Sequence, residues 1–405
     1  MPYIKIWEKD NTGLEASANE TVVFVPGKIT LDSSDDSNVD FNGCLLIKPA
    51  AGDNILANIP EKIESNKYIQ TLISSGLEVL YKGFDSSIAA DSSLNIDFLQ
   101  DKNAYDIKFL TAGGSQIIDI LDDSDINTSL LTSLTRIAAK RGDCAVIGAL
   151  SLRDIDTPVK AIKDNLNSIE LDDSKENDIS SFASIFVANM VENDSSEDSS
   201  DVIMPYAVNS YPDLAYLQSY AEAIKNNNTW ESLANTARGL APKFNKNSVI
   251  SKYDLDNAMD TEGRSFNGII NLRPTNQPVI WGDRTLLKND SKVVDGEAIL
   301  NLKATSFLSI RNMISDIAKR AYNSAISNTF ETNNDITWTN FKGNITQLLD
   351  TMVADYKIAN YRIIKKSSKN RAEIKCEIHV SPYEPVEDFD IGIIINNTSA
   401  ETTVE

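Results

Sequence analysis

The sequence has very few of the residues on which nucleophilic catalysis and transition-metal binding depend. Its 405 residues include one histidine and three cysteines, and Cys44, Cys144 and Cys376 lie far apart without a Cys-x-x-Cys pair. Catalysis by a serine–histidine or cysteine–histidine pair would have to use His379, and a histidine-rich metal site cannot be assembled. His379 falls on the polar side of an alternating segment, residues 372–380, as a solvated strand residue does. We predict no catalytic, cofactor-binding or metal-binding residue, and no cofactor.

The sequence also lacks long apolar runs and an excess of positive charge. No apolar stretch approaches the roughly 20 residues of a membrane-spanning helix, and the first eight residues show no signal-peptide core. The 59 acidic and 38 basic side chains give a net charge of −21, which repels nucleic acid and anionic membranes. We expect a protein that binds neither directly. The few, scattered cysteines are typical of a chain folded in a reducing cytoplasm.

Short apolar runs alternate with helix-like segments between residues 20 and 210. The runs predict buried strands at 22–25, 44–47, 77–81, 107–110, 145–150 and 184–188. The segments between them predict helices at 60–74, 94–103, 126–140 and 157–167. This alternation predicts an α/β domain with a mostly parallel sheet.

After residue 210, helix-like segments replace the alternation of strands and helices. A helix is predicted at 211–224, with a short second helix at 230–238, and the character of the sequence changes near residue 265. Two further helices are predicted at 307–328 and 339–354, and strands at 361–364, 372–380 and 389–395. Helices kept apart from an antiparallel sheet predict an α+β domain. We divide the chain into residues 1–20, 21–265, 266–390 and 391–405.

The most informative segment begins at residue 281, where a strand runs into the sequence Trp-Gly-Asp-Arg-Thr-Leu. An aromatic-led helix start with Arg311, a Phe-Glu-Thr-Asn turn and a tryptophan-led helix follow in order. This order resembles the contractile-tail sheath proteins of bacteriophages and related contractile injection systems. The upstream segment 141–147 resembles the family's Arg-x-Asp strand, whereas Asn312 stands where many relatives have a second arginine. The motif residues are Trp281, Gly282, Asp283, Arg284, Thr285, Leu286, Arg311, Phe330, Asn333 and Trp338.

The residues alone leave the roles of this motif open. Arg284 and Arg311 could be surface residues or interface residues, because arginine is common at both. Trp281 and Trp338 could belong to the core or contact another subunit.

The resemblance implies a structural, non-enzymatic subunit with a subtilisin-like middle domain and extended terminal arms. Such subunits stack as hexameric rings around a tail tube and contract to drive the tube through a target envelope. The implied partners are further copies of the chain, the tube protein, the baseplate and the neck or tail terminator. The implied location is the virion tail, after assembly in the host cytoplasm.

The arms implied by the resemblance link neighbouring subunits by adding strands to the sheet of the C-terminal domain. Residues 1–20 and 391–405 are the corresponding segments here, with residues 266–390 facing the tube. The strand residues in these arms are Tyr3, Ile4, Ile6, Trp7, Ile391, Ile393 and Ile395. Pairing of residues 391–395 within the same subunit remains the alternative.

The negative charge is unevenly distributed. Residues 301–375 contain 12 basic and 6 acidic side chains, so the acidity belongs to the rest of the chain. We hypothesise that Lys319, Arg320 and Lys342 face an acidic tube through weak, screened contacts. The alternatives are the sheath of a non-phage injection device, a carboxylate-based hydrolase, and a tube or baseplate subunit.

Overall fold

A computed structural model describes most of the chain. The described residues are 21–52, 54–84, 96–122, 125–152, 163, 164, 166, 167, 169, 171, 179–192, 206–273, 276–294, 297–369 and 372–386. The two arms predicted at residues 1–20 and 391–405, and the strand predicted at 389–395, lie outside these residues.

A mixed sheet of eight strands forms the centre of the molecule. Its order is β10-β9-β8-β7-β4-β1-β3-β2. The six inner strands are parallel, and only the edge strands β10 and β2 run antiparallel to their neighbours. The prediction of a mostly parallel sheet is therefore confirmed. The strands are β1 (Val22–Gly27), β2 (Cys44–Ile47), β3 (Glu78–Gly83), β4 (Phe109–Leu110), β7 (Ala145–Ser151), β8 (Ala183–Ala188), β9 (Asn267–Leu272) and β10 (Gln277–Trp281).

Apolar side chains cover both faces of this sheet and form two hydrophobic clusters. On one face, helices α1 (Lys67–Ser74) and α3 (Pro212–Lys225) pack against the strands. On the other face, α2 (Ser129–Arg141) and α4 (Lys252–Met259) do so. Inner strands buried on both sides explain why the sequence shows continuous apolar runs there rather than alternation.

The C-terminal part has its own hydrophobic cluster. Two long helices, α5 (Leu308–Ser327) and α6 (Asp335–Ala354), pack on a hairpin of β13 (Ile358–Lys366) and β14 (Lys375–Pro382). His379 is exposed on β14, opposite Arg362. Two more antiparallel pairs are β5 (Asp119–Asp122) with β6 (Asp125–Asn127), and β11 (Asp290–Val294) with β12 (Glu297–Asn301).

The structure differs from three of the predicted helices, and in two of them local side-chain hydrogen bonds explain the difference. Residues 230–238 form turns rather than a helix, because Asn235 Oδ1 accepts the backbone N–H groups of Ala237 and Arg238. The helix predicted at 60–74 begins only at Lys67, where Asn66 caps it. Of residues 94–103, the structure describes 96–103, which contain a short 3₁₀ helix, Asp97–Gln100, in place of the predicted helix.

The boundary predicted near residue 265 precedes β9 and β10, which are hydrogen-bonded into the large sheet. Among the described residues, no helix is both long enough and apolar enough to cross a membrane.

Candidate functional site

The motif at residues 281–286 forms the turn that joins the large sheet to helix α5. Gly282 makes the turn possible, because its φ of +98° lies in the left-handed region. A Cβ at this position would also lie 2.6 Å from Asn267 Oδ1. Both constraints require glycine here, which explains its place in the motif.

Asp283 caps helix α5 from outside the helix. Its backbone carbonyl accepts the N–H of Leu308 at 2.8 Å, and its Oδ1 accepts the N–H of Ser309 at 3.1 Å. The hydroxyl of Ser309 also donates to Asp283 Oδ2. The residue that directly precedes the helix, Phe307, supplies no side-chain acceptor. Asp283 therefore satisfies two of the four N–H groups that a helix start leaves unpaired.

Arg284 is buried, with 2% of its surface exposed. Asn267 holds both of its backbone groups, accepting the N–H at 2.7 Å and donating to the carbonyl at 2.8 Å. Ser184 on β8 donates to the same carbonyl at 2.9 Å. The guanidinium carbon lies 5.0 Å from the ring centroid of Phe307, a cation–π distance. The structure thus places Arg284 inside the subunit and not on its free surface.

The motif also ties neighbouring segments together through its last residues. The N–H of Thr285 donates to Ser306 O and its hydroxyl donates to Thr305 O, each at 2.9 Å. The N–H of Leu286 donates to Ala183 O at 2.8 Å. Arg311, one turn into α5, lies 4.1 Å over the ring of Phe182. Strand β8, the motif and the start of α5 therefore form one joint.

The remaining motif residues lie elsewhere. Trp281 is half-buried and its Nε1 donates to Asp256 on α4 at 2.7 Å. Phe330, Asn333 and Trp338 lie beyond the far end of α5, about 30 Å along a helix of 20 residues. Trp338 packs on Phe341 with ring centroids 5.9 Å apart. The structure therefore does not bring the two halves of the motif together.

Residues that the sequence analysis missed hold α5 against the large sheet. Lys108, beside β4, is buried and forms an ion pair with the partly exposed Asp316, and it donates to Asn312 O at 3.2 Å. Trp230 Nε1 donates to the second carboxylate oxygen of Asp316 at 2.8 Å. Asn312 Nδ2 donates to the hydroxyl of Tyr216 at 3.0 Å, and burial raises the pKa of this tyrosine far above its usual range. A lysine within the apolar run 107–110 was the available sequence signal.

The arginine of the upstream segment is also buried. Arg141 Nε and Nη2 bind the two oxygens of Asp143 at 2.9 and 3.1 Å, and its Nη1 and Nη2 donate to the carbonyls of Leu99 and Tyr105. This bidentate pair fixes the end of α2, where Gly142 takes a φ of +73°.

The three basic residues assigned to a tube contact have different surroundings. Lys319 forms an ion pair with Asp106 at 2.5 Å, and Arg320 Nε donates to Asn344 O at 3.3 Å on α6. Lys342 is exposed on α6. Lys342 is thus the most exposed of the three side chains.

One buried carboxylate has an unusual environment. Asp213, in the first turn of α3, accepts the Tyr68 hydroxyl at 2.8 Å and the N–H of Leu214 at 2.8 Å. Burial raises the pKa of Asp213 from 3.8 to about 6, although both hydrogen bonds oppose the rise.

No group of three metal-ligating side chains occurs in the described part of the chain. The geometry around residues 281–316 is that of a rigid joint made of caps, stacked cations and an ion pair.

No family model and no curated protein matches the sequence. Solved structures do match. The fold resembles a chain of the anti-feeding prophage baseplate (TM-score 0.58, 12% identity, 98% of this chain and 99% of that one). It also resembles a chain of the contracted sheath complex of PVC, an extracellular contractile injection system (TM-score 0.57, 14% identity, 99% and 98%). A sheath tail protein from Desulfitobacterium hafniense matches with a TM-score of 0.46 and 10% identity, covering 95% and 100%. The resemblance to contractile sheath proteins predicted from the motif is confirmed at the level of the fold, over almost the whole chain.

Proposed function

We propose that this chain is the structural sheath subunit of a contractile injection device. The observation that supports the proposal most is the match of fold over 98% or more of both chains to two structures from contractile assemblies. A likeness that spans both the large sheet and the C-terminal unit concerns the whole architecture rather than one common domain. The proposed activity is mechanical, with no catalytic step.

The subunit would polymerise as stacked hexameric rings around a tube, with residues 1–20 and 391–405 as linking arms. The arm residues would add strands to the β13–β14 hairpin of neighbouring subunits. Within the part of the chain that the structure describes, this hairpin is a sheet of two strands, with alternating exposed residues along β14. A two-stranded sheet gains stability when further strands join it. The middle unit would have the subtilisin-like arrangement of the family and form the outer layer.

We place the division between the two units near residue 302 rather than 265. Strands β9 and β10 belong to the large sheet, whereas the C-terminal cluster, apart from Trp230, is made of residues from Leu302 onward. The tube-facing unit would then comprise α5, α6 and the β13–β14 hairpin, within the range 266–390 assigned from the sequence.

A sheath must change its subunit packing while the chain itself stays folded. The joint at residues 281–316 meets the second requirement. Asp283, the Lys108–Asp316 pair and the stacked Arg284 and Arg311 each connect the C-terminal unit to the large sheet.

The device would be completed by a tube protein, a baseplate and a neck or terminator protein. As a phage tail part, the sheath would be assembled in the host cytoplasm and function in the virion. The two structural neighbours described above with TM-scores of 0.58 and 0.57 are named for other assemblies, an anti-feeding prophage and an extracellular injection system. They favour a non-phage injection device as the second candidate. Since one neighbour is a baseplate chain, a subunit at the baseplate end is a third.

Negative-stain microscopy of the purified full-length chain tests the proposal. We expect long hollow tubes with a regular ring repeat at high protein concentration. A chain that stays monomeric at every concentration and salt level, both alone and with its tube protein, would contradict it. Release of sugar from a glycan by that monomer would support the hydrolase instead.

A further inference from the structure

The turn between α5 and α6 presents an apolar side chain that the fold of the subunit does not use. Phe330 has 85% of its surface exposed. Its backbone has a φ of +70°, in the left-handed region that glycine and asparagine enter most readily. Folding alone would favour glycine at this position on both counts. Exposed apolar residues held in strained backbone are a mark of binding surfaces.

Local hydrogen bonds hold the C-terminal half of this tip, residues 329–336. Asn334 Oδ1 accepts the N–H groups of Ile336 and Thr337 at 2.9 and 3.0 Å, and the hydroxyl of Thr337 donates to Thr332 O at 2.6 Å. Ile336, also in the tip, has 71% of its surface exposed. A rigid apolar projection loses little conformational entropy when it enters a cavity.

The tip is acidic around its apolar centre. Glu331 and Asp335 are both exposed, and residues 329–336 contain no basic side chain. Asp335 also lies 3.5 Å from Lys365, although its own side chain stays 99% exposed. A binding partner of the tip should therefore be apolar at the centre and basic at the rim.

The same chain has a hollow with these two properties between α1 and α3. Its volume is about 120 Å³, and its walls include Tyr211, Leu214 and Phe244, which are buried, and the half-buried Val208. The hollow is somewhat smaller than the roughly 150 Å³ apolar cavity that holds benzene, but it opens to solvent, so a phenyl ring can enter it in part.

One lysine lies at the hollow, within a basic segment of an acidic protein. Lys243 lines the hollow, and Lys246 lies three positions later in the sequence. Residues 232–252 contain four basic and no acidic side chains. Among the described residues, neither Lys243 nor Lys246 forms an ion pair, whereas Arg238 and Lys252 do.

We propose that the occupant of this hollow is Phe330 of a second copy of the chain, with Glu331 of that copy beside Lys243. The two surfaces are different, so the contact is heterologous and repeats from one copy to the next. Such contacts build rings and helices, and the inference rests on the proposed function as a polymer. It adds a side-chain contact that is separate from the strand-exchanging arms.

Cysteine cross-linking tests the contact directly. Phe330→Cys and Val208→Cys are made separately in a Cys376→Ser background, because the other two native cysteines are buried. Mixed and mildly oxidised, they should give a covalent dimer that neither variant gives alone. Tyr356 is a matched control, since it has 82% of its surface exposed and a φ of +55° beyond the other end of α6. Tyr356→Cys mixed with Val208→Cys should give no dimer.

A second pair of variants separates assembly from folding. Phe330→Gly should melt at the same or a higher temperature than the wild type, yet raise the concentration needed for polymerisation at least tenfold. Glu331→Lys and Lys243→Glu should each weaken polymerisation, and the double variant should restore it. If the wild type forms tubes but the mixture of Phe330→Cys and Val208→Cys gives no cross-link, this contact is overturned and the proposed function stands. Dimers of Phe330→Cys alone, or unchanged polymerisation of Phe330→Gly, would also overturn it.

Discussion

Asp283 Oδ1 accepts the backbone N–H of Ser309 at 3.1 Å, so a residue 26 positions upstream caps helix α5. The cap therefore belongs to the turn that leaves the large sheet, and it fixes where the helix starts relative to that sheet. Burial of Asp283 makes the contact stronger than a cap in water, because no solvent competes for the N–H groups.

Replacing this cap should loosen the joint. We expect Asp283→Ala to lower the free energy of unfolding by about 2 kcal/mol, since it removes a cap and leaves buried N–H groups without an acceptor. Asp283→Asn keeps an oxygen acceptor and should cost less than half as much. Urea denaturation of both variants measures the difference, and equal losses would show that the negative charge, rather than the cap, is what stabilises the helix start.

The Lys108–Asp316 pair should respond asymmetrically to mutation. Asp316→Asn leaves the buried ammonium of Lys108 without its carboxylate, and we expect a loss of about 2–3 kcal/mol. Lys108→Met should cost less, because Asp316 is about a quarter exposed and keeps its bond from Trp230.

The exposed ion pair of Lys319 and Asp106 provides the control for this comparison. Lys319→Met should cost less than about 1 kcal/mol, as exposed pairs do. Urea midpoints of the three variants, measured in the same buffer, would contradict the reasoning if Lys319→Met were the most damaging.

Asp213 should make the stability of the subunit depend on pH. Its pKa is raised from 3.8 to about 6 by burial, so the folded state binds the proton more tightly than the unfolded state. The contribution of this group to stability is complete below about pH 4 and is lost as the pH rises to about 6. At ~1.4 kcal/mol per pKa unit the loss amounts to about 3 kcal/mol.

Asp213→Asn should remove this dependence. The variant should match the wild type below about pH 4 and exceed its free energy of unfolding above pH 6, because the amide cannot ionise. Urea unfolding at several pH values gives the difference between the two proteins, with the exposed Asp355→Asn as control. A difference that stays constant with pH would exclude titration of Asp213 as its cause.

Removal of residues 391–405 should separate folding from assembly. We expect the shortened chain to fold with an unchanged circular dichroism spectrum and to form no tubes in the electron microscope, since these residues are proposed to join neighbouring subunits. If tubes still form, the assignment of this segment as an arm is wrong.

Charge reversal should distinguish a tube contact from a contact between sheath subunits. Lys342→Glu, combined with Lys319→Glu and Arg320→Glu, should impair assembly on tubes and leave tube-free polymers intact. Because Lys319 also pairs with Asp106, Lys342→Glu alone is the cleaner variant. Equal loss of both kinds of assembly would refute the tube contact.

The sequence predicted the central strands well because residues buried on two faces leave an unbroken apolar run. The runs at 22–25, 44–47 and 145–150 coincide with β1, β2 and β7 to within two residues. The predicted helix at 230–238 was wrong because a side-chain amide competes locally with helix formation, and residue spacing carries no information on that competition.

The candidate site was predictable only in part, for a similar reason. The motif at 281–286 is contiguous and visible in the sequence. Asn267, which holds Arg284, and Lys108 and Trp230, which hold α5, are single polar or aromatic residues from distant segments. Only the three-dimensional structure shows that they meet their partners. Burial of Arg284 was likewise invisible, because arginine is so often exposed.

The late position of β9 and β10 has a consequence for synthesis on the ribosome. Strand β8 pairs with β7 on one side and, through Phe186 and Val187, with β9 on the other. A nascent chain that ends before residue 267 therefore exposes an unpaired strand edge in the middle of the future sheet. Strand β9 covers this edge only after residue 272 has been translated, and β10 follows by residue 281. The sheet is therefore complete before the tip that we propose to join one subunit to the next has been made.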